Sequence, residues 1–241
     1  PSNADPHTFS LTPEHRKDLE RASIIVQVGA NLDNWVNKID LRDDQTLINV
    51  TQDLTLNQTS ESRTHSYDPH VWQSPRLVKQ IVLKLKAKYA SLFPTQSARI
   101  NQCTTDYIVR MDAEVTNLKK QIDQIPKKNR VIVTNHDSLG YFAQEFGFEI
   151  VSVLGVSDEE LPTVDQIKAT LTKIKDKEPK ALFLEYGGSP KLLDLLASET
   201  HLKIAGKLYA DSLGEKAEGA GTLLTAWEKN VQVLVKNLGK K

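Results

Sequence analysis

The chain carries six histidines, His7, His15, His65, His70, His136 and His201, and a single cysteine, Cys103. Imidazole nitrogen binds transition metals, whereas a lone thiol supports neither an internal disulfide nor a thiolate zinc cluster. Three histidines share a setting. His7 closes Asp5-Pro6-His7 and His70 closes Asp68-Pro69-His70, the same tripeptide, each followed by a β-branched residue and an aromatic. His136 follows the apolar run Val131-Ile132-Val133 and immediately precedes a helical pattern. Asp211 follows Leu208-Tyr209-Ala210 in the same way. Loops leaving the carboxyl ends of strands are where open α/β sheets hold ligands. The four residues recur at similar intervals, two in each half of the chain.

Three imidazoles and one carboxylate suit Zn²⁺, which takes nitrogen and oxygen donors in a tetrahedron. Mn²⁺ is harder and more often trades an imidazole for a second carboxylate. The acids beside these histidines, Asp5, Asp68 and Asp137, could hold the second ring nitrogens. Asp137 reads first as the cap of the helix after it. His15 belongs to a charged helix face, and His201 to a polar turn. His65 lies in a Ser- and Thr-rich loop, where it reads as a solvated residue that could touch passing metal. Cys103 sits in a helical stretch and reads as structural.

To position these residues the chain alternates helices with short apolar runs. Thr12-Pro13-Glu14 starts a helix that runs to about Ala22. Strands are predicted at Ile24–Val28 and Leu47–Val50, with a short helix over Asn31–Lys38 and a loop over Asn57–Asp68. An amphipathic helix fits Ser74–Ala90, with Leu77, Ile81, Val82, Leu85 and Tyr89 on one face. A longer pattern covers Thr95–Ile125 without a Gly or Pro. Beyond it come strands at Val131–Val133, Phe148–Val153, Ala181–Leu184 and Leu202–Leu208, separated by helices over Leu139–Phe146, Thr163–Lys175 and Pro190–Ala197. Thr222–Leu238 closes the chain. Strands alternating with helices imply parallel sheets flanked by helices. The expected fold class is therefore α/β with two lobes joined by one long rigid helix. Its boundaries are 1–92 for the first lobe, 93–126 for the linking helix and 127–241 for the second lobe.

At 241 residues, two lobes can each bury a core. Lys+Arg and Asp+Glu are 31 each, so no net field favours nucleic acid or an anionic membrane surface. No run approaches the roughly 18 to 20 apolar residues of a spanning helix.

The motifs, taken in order, resemble a known family. They are Asp5-Pro6-His7-Thr8-Phe9, Gly29-Ala30-Asn31-Leu32-Asp33-Asn34-Trp35, Asp68-Pro69-His70-Val71-Trp72, Asn135-His136-Asp137-Ser138-Leu139-Gly140-Tyr141-Phe142, Glu185-Tyr186-Gly187-Gly188-Ser189-Pro190 and Tyr209-Ala210-Asp211-Ser212-Leu213-Gly214. Together they resemble the zinc- and manganese-binding solute-binding proteins of bacterial ABC importers (cluster A-I). The resemblance covers nearly the whole chain. It implies a periplasmic or lipid-anchored receptor that is monomeric, serves a membrane permease and holds its metal between the lobes. The family's ligand positions fall on His7, His70, His136 and Asp211. Manganese members typically carry Glu at the third position, so His136 implies the zinc type, with Mn²⁺ the alternative cargo. Two features depart from the family. Only six residues precede His7 where members usually have a strand, a helix and another strand; either the chain is a fragment, or the first lobe is built short, which would leave a sheet position unfilled. The loop before His70 is short and holds only His65.

A zinc hydrolase is the competing class. It needs an open metal position, a general base and substrate-orienting groups. Glu185 is the one acid near a strand end suited to the base, and there is no His-Glu-x-x-His helix. A metal-binding surface adhesin would carry the same site. Zinc is expected to raise the melting temperature, with that effect fading below about pH 6.

Overall fold

The computed structural model describes residues 6–59, 67–156 and 161–239. Asp5, His65 and Lys240-Lys241 lie outside these residues. The chain opens with helix α1 (Pro13–Arg21), where Thr12 caps the first turn by accepting from His15 N–H at 3.2 Å. The His15 ring returns the contact, its Nδ1 accepting from Thr12 N–H at 3.2 Å. His15 is thus part of a cap. Strands β1 (Ile24–Gln27) and β2 (Thr46–Asn49) follow and pair in parallel. Between them the expected helix is only a 3-10 turn over Asn34–Lys38. The reason is local: the Asp33 carboxylate accepts from the amides of Val28 and Gly29 at 2.7 and 2.8 Å. Gly29, Ala30 and Asn31 meanwhile adopt positive φ, which an α-helix cannot contain.

A 3-10 turn over Val71–Gln73 leads from His70 into α2 (Pro75–Leu92), capped by Ser74 with Pro75 in the first turn. Phe93-Pro94 turns the chain into α3 (Ser97–Ile122), 26 residues long and so about 39 Å. It is shorter at both ends than the sequence pattern suggests, because a 3-10 turn takes Pro94–Gln96 and the helix stops at Asp123. Met111, Leu118 and Ile122 bury one face of α3 against Trp227, Val231 and Leu234 of the closing helix α7 (Leu223–Leu238). The other end of α3 lies alongside α2.

The second half forms a four-stranded parallel sheet from β3 (Val131–Thr134), β4 (Glu149–Ser152), β5 (Leu182–Glu185) and β6 (Ile204–Leu208) in the order β4-β3-β5-β6. Its connections are α4 (Gly140–Phe146), α5 (Val164–Lys177) and α6 (Pro190–Thr200). Alternate residues face opposite ways along a strand. Ile132, Phe183 and Leu208 accordingly pack with α3, α4 and α7 on one face. Val131, Val133, Val151 and Leu182 pack on the other with Ile174 of α5 and Leu193 and Leu196 of α6. The sheet of the first half has two strands among the described residues, and Val26 on β1 is 47% exposed. No described helix is long and apolar enough to cross a membrane.

Candidate metal centre

In the four-stranded sheet the chain leaves β3 toward β4, then returns to the other side of β3 to lay down β5. This reversal is a topological switch point, and the crevice outside the strand ends there is the usual ligand position. His136 occupies the loop after β3, Glu185 ends β5, and Asp211 follows β6. His70 and His7 approach from the first half of the chain. His70 is held at the start of its 3-10 turn because Asp68 Oδ1 accepts from its backbone N–H at 2.9 Å.

One donor atom from each of His7, His70, His136 and Asp211 lies within 4.8 Å of the others. His7 Nε2 is 3.1 Å from His70 Nε2. His70 Nε2 is 3.2 Å from Asp211 Oδ1, and His136 Nε2 is 3.0 Å from Asp211 Oδ2. Tetrahedral ligands about 2.0 to 2.1 Å from zinc stand roughly 3.3 Å apart, close to these spacings. His70 and His136 are essentially inaccessible, with 0% and 1% exposure, while His7 and Asp211 are half-buried. His136 Nε2 and Asp211 Oδ1 are buried without a hydrogen bond of proper geometry, although each has an opposite charge in reach. Buried polar atoms left in that state are costly. Ligand atoms converging on one point is the arrangement a cation resolves. Beside Asp211 lies an apolar cavity of about 320 Å³, walled by Val28, Leu32, Trp72 and Trp227, which keeps the local dielectric low.

The second ring nitrogens of His70 and His136 are also occupied. His70 Nδ1 is 2.7 Å from Asp68 Oδ1, so Asp68 takes the place its sequence position offers it. His136 Nδ1 pairs with Glu185 Oε2, and Glu185 Oε1 accepts from Ser138 Oγ at 3.2 Å. The partner of His136 is therefore Glu185 and not Asp137. Nor is Asp137 the cap of α4, whose N-cap position is Leu139. Glu185 is the residue whose role the sequence does not disclose. It is 2% exposed and faces the His136 imidazole. Nothing short of the order of β3 and β5 in the sheet signals that contact.

Electrostatics follow from this packing. Burial alone would lower the pKa of His70, but the Asp211 and Asp68 carboxylates overcome it and raise it to about 9. Burial likewise opposes protonation of His136, yet Glu185 and Asp211 hold its pKa well above the ordinary histidine value. Burial would raise the pKa of Asp211, and His70 and His136 instead pull it well below the carboxylate range. These carboxylates therefore favour the protonated form of both imidazoles. Of the other histidines, His15 sits in the α1 cap and His201 ends α6 as an exposed αL residue. Neither belongs to the cluster.

Comparison with known proteins places these features among metal receptors. Residues 1–237 match the family described as "ZnuA: Zinc-uptake complex component A periplasmic". The zinc-binding protein TroA of Treponema pallidum is 24% identical over 98% of this chain and 79% of its own length. The manganese-binding lipoprotein MntA of Bacillus subtilis is 25% identical over 97% and 79%. The high-affinity zinc uptake system protein ZnuA of the same organism is 26% identical over 92% and 74%. Among solved structures, periplasmic zinc binding protein TroA superposes with a TM-score of 0.89 at 23% identity, covering 99% of this chain and 89% of that one. A manganese-bound periplasmic metal binding protein from Candidatus Liberibacter asiaticus gives 0.89 at 21% identity, over 98% and 88%.

Proposed function

This chain belongs to the zinc-uptake component A family, and from that membership we propose that it captures one Zn²⁺ outside the cytoplasm through His7, His70, His136 and Asp211. It then hands the ion to the membrane permease of an ABC importer. The observation that carries the proposal is the convergence of three imidazole nitrogens and one carboxylate within 4.8 Å. Four protein donors complete a zinc tetrahedron and leave no position for an attacking water. Such a site suits cargo rather than catalysis.

Relatives at similar identity carry zinc or manganese in their names, so family membership leaves the metal open. The donor set favours zinc. Three nitrogens are a soft set for Mn²⁺, and the general affinity order puts zinc well above manganese. The polar partners on His70 and His136 add to this by fixing which ring nitrogen faces the ion. The receptor is proposed to act as a monomer, and a lipid anchor of the kind named in several relatives would keep it beside the permease.

The test is metal content after purification without added metal, followed by competition between Zn²⁺ and Mn²⁺ for the stripped protein. One zinc per chain and displacement of manganese by zinc are expected. Preference for manganese would overturn the zinc assignment, and no uptake of either would overturn the receptor.

A further inference from the structure

Asp211 is the only carboxylate of the four donors, and the half-turn that carries it is held from both sides. On one side, Asn230 of α7 takes both backbone groups of Tyr209. Its Oδ1 accepts from Tyr209 N–H at 2.7 Å and its Nδ2 donates to the Tyr209 carbonyl at 2.7 Å. On the other side, two residues just after His70 reach across the cleft. Trp72 Nε1 and Gln73 Nε2 both donate to the Ala210 carbonyl at 2.6 Å. Trp227 of α7 closes the circuit by donating to the Trp72 carbonyl at 3.2 Å.

Gln73 is the informative member. It is 2% exposed, and its Oε1 is buried without a hydrogen-bond partner. A methionine would fill the same space without stranding an acceptor. What the amide adds is the donor to Ala210, and both groups facing its Nε2 are carbonyls, which fixes its orientation.

We propose that Trp72 and Gln73 are positioning residues for metal binding, forming a latch that sets Asp211 against His70 across the cleft before the ion arrives. The inference rests on the proposed metal site. The latch makes the carboxylate corner of the site a property of the contact between the two halves of the chain. Breaking these two hydrogen bonds and withdrawing Asp211 from His70 are then the same local event, which gives a route for release of the ion.

The test is zinc affinity, measured by competition with a chromogenic chelator, for Trp72→Phe, Gln73→Met and the double variant. Gln73→Met keeps the bulk and deletes a donor, and Trp72→Phe keeps an aromatic ring and deletes a donor at some loss of volume. The double variant is expected to bind zinc about tenfold or more weakly, in the range of lost outer-shell partners, and to release it faster to chelator. The same pair in an Asp211→Ala background is expected to cause no further loss, because the residue they position is gone. A merely structural role would weaken both backgrounds alike, and that result overturns the latch. So does a folded double variant that binds as tightly as the parent. If circular dichroism shows the double variant unfolded, Trp72→Phe alone carries the test, with a loss of about threefold expected and none contradicting it. Parent protein that takes up no zinc overturns the receptor as well, whereas normal binding by parent and variants removes only the latch.

Discussion

Zinc should displace about two protons at neutral pH, and their number can be worked out from the site. An imidazole with the ordinary pKa near 6.5 is about one-quarter protonated at pH 7, so two such groups would release roughly half a proton. Here His70 is raised to about 9 and His136 well above its ordinary value, and both must lose the proton on Nε2 to bind metal. Each displaced proton makes affinity rise about tenfold per pH unit. Zinc affinity should therefore climb about 100-fold per unit above about pH 6.5 while both imidazoles stay protonated, and flatten to a shallower slope as each titrates, His70 near 9. The fading of zinc's effect begins far above the pH 6 expected of ordinary histidines. Stability of the metal-free protein should move the opposite way. A raised histidine pKa stabilises the fold fully below about 6.5, and this contribution is lost as pH climbs through about 9, roughly 3 kcal/mol for His70 alone. The lowered pKa of Asp211 acts only in acid, its contribution present above the usual carboxylate range and lost below it. Titration calorimetry at pH 7 in two buffers of different ionisation enthalpy counts the protons directly. A count of half a proton or less would refute this arrangement of charges.

Replacing His70 or His136 with Ala should weaken zinc binding by orders of magnitude, while His201→Ala on the exposed end of α6 should leave a competition titration unchanged. Glu185→Gln keeps the shape but removes the charge on His136 Nδ1; affinity should fall between about 10- and 100-fold, measured by the same titration. His136→Glu hardens the donor set and should narrow the preference for zinc over manganese. Because α3 has no Gly or Pro within it, sharp bending is disfavoured. Hydrogen exchange on adding zinc should gain protection in the loops holding His136 and Asp211 and barely change around Met111.

Elements with local cues can be read from the sequence. The Thr12-Pro13 and Ser74-Pro75 starts, the apolar periodicity of α2 and α3, and the alternation after Pro126 each lie within a few residues of the element they specify. The four proposed donors are legible for the same reason, each marked by its own short motif at a strand end or loop. Contacts made by folding are not. Glu185 meets His136 only because β5 lies beside β3, and Trp72 meets Ala210 from 138 residues away. The segment from Asn31 has a helical side-chain pattern yet folds as a turn, because Asp33 captures the amides of Val28 and Gly29.

Three imidazoles and one carboxylate of this chain should surround a single ion, and X-ray absorption at the zinc edge of protein loaded with one equivalent shows whether they do. Four light-atom ligands are expected at about 2.0 to 2.1 Å with the outer-shell signature of three imidazoles, falling to two imidazoles in His136→Ala. A spectrum of zinc surrounded mainly by water, or one unaltered by that substitution, would contradict the assignment.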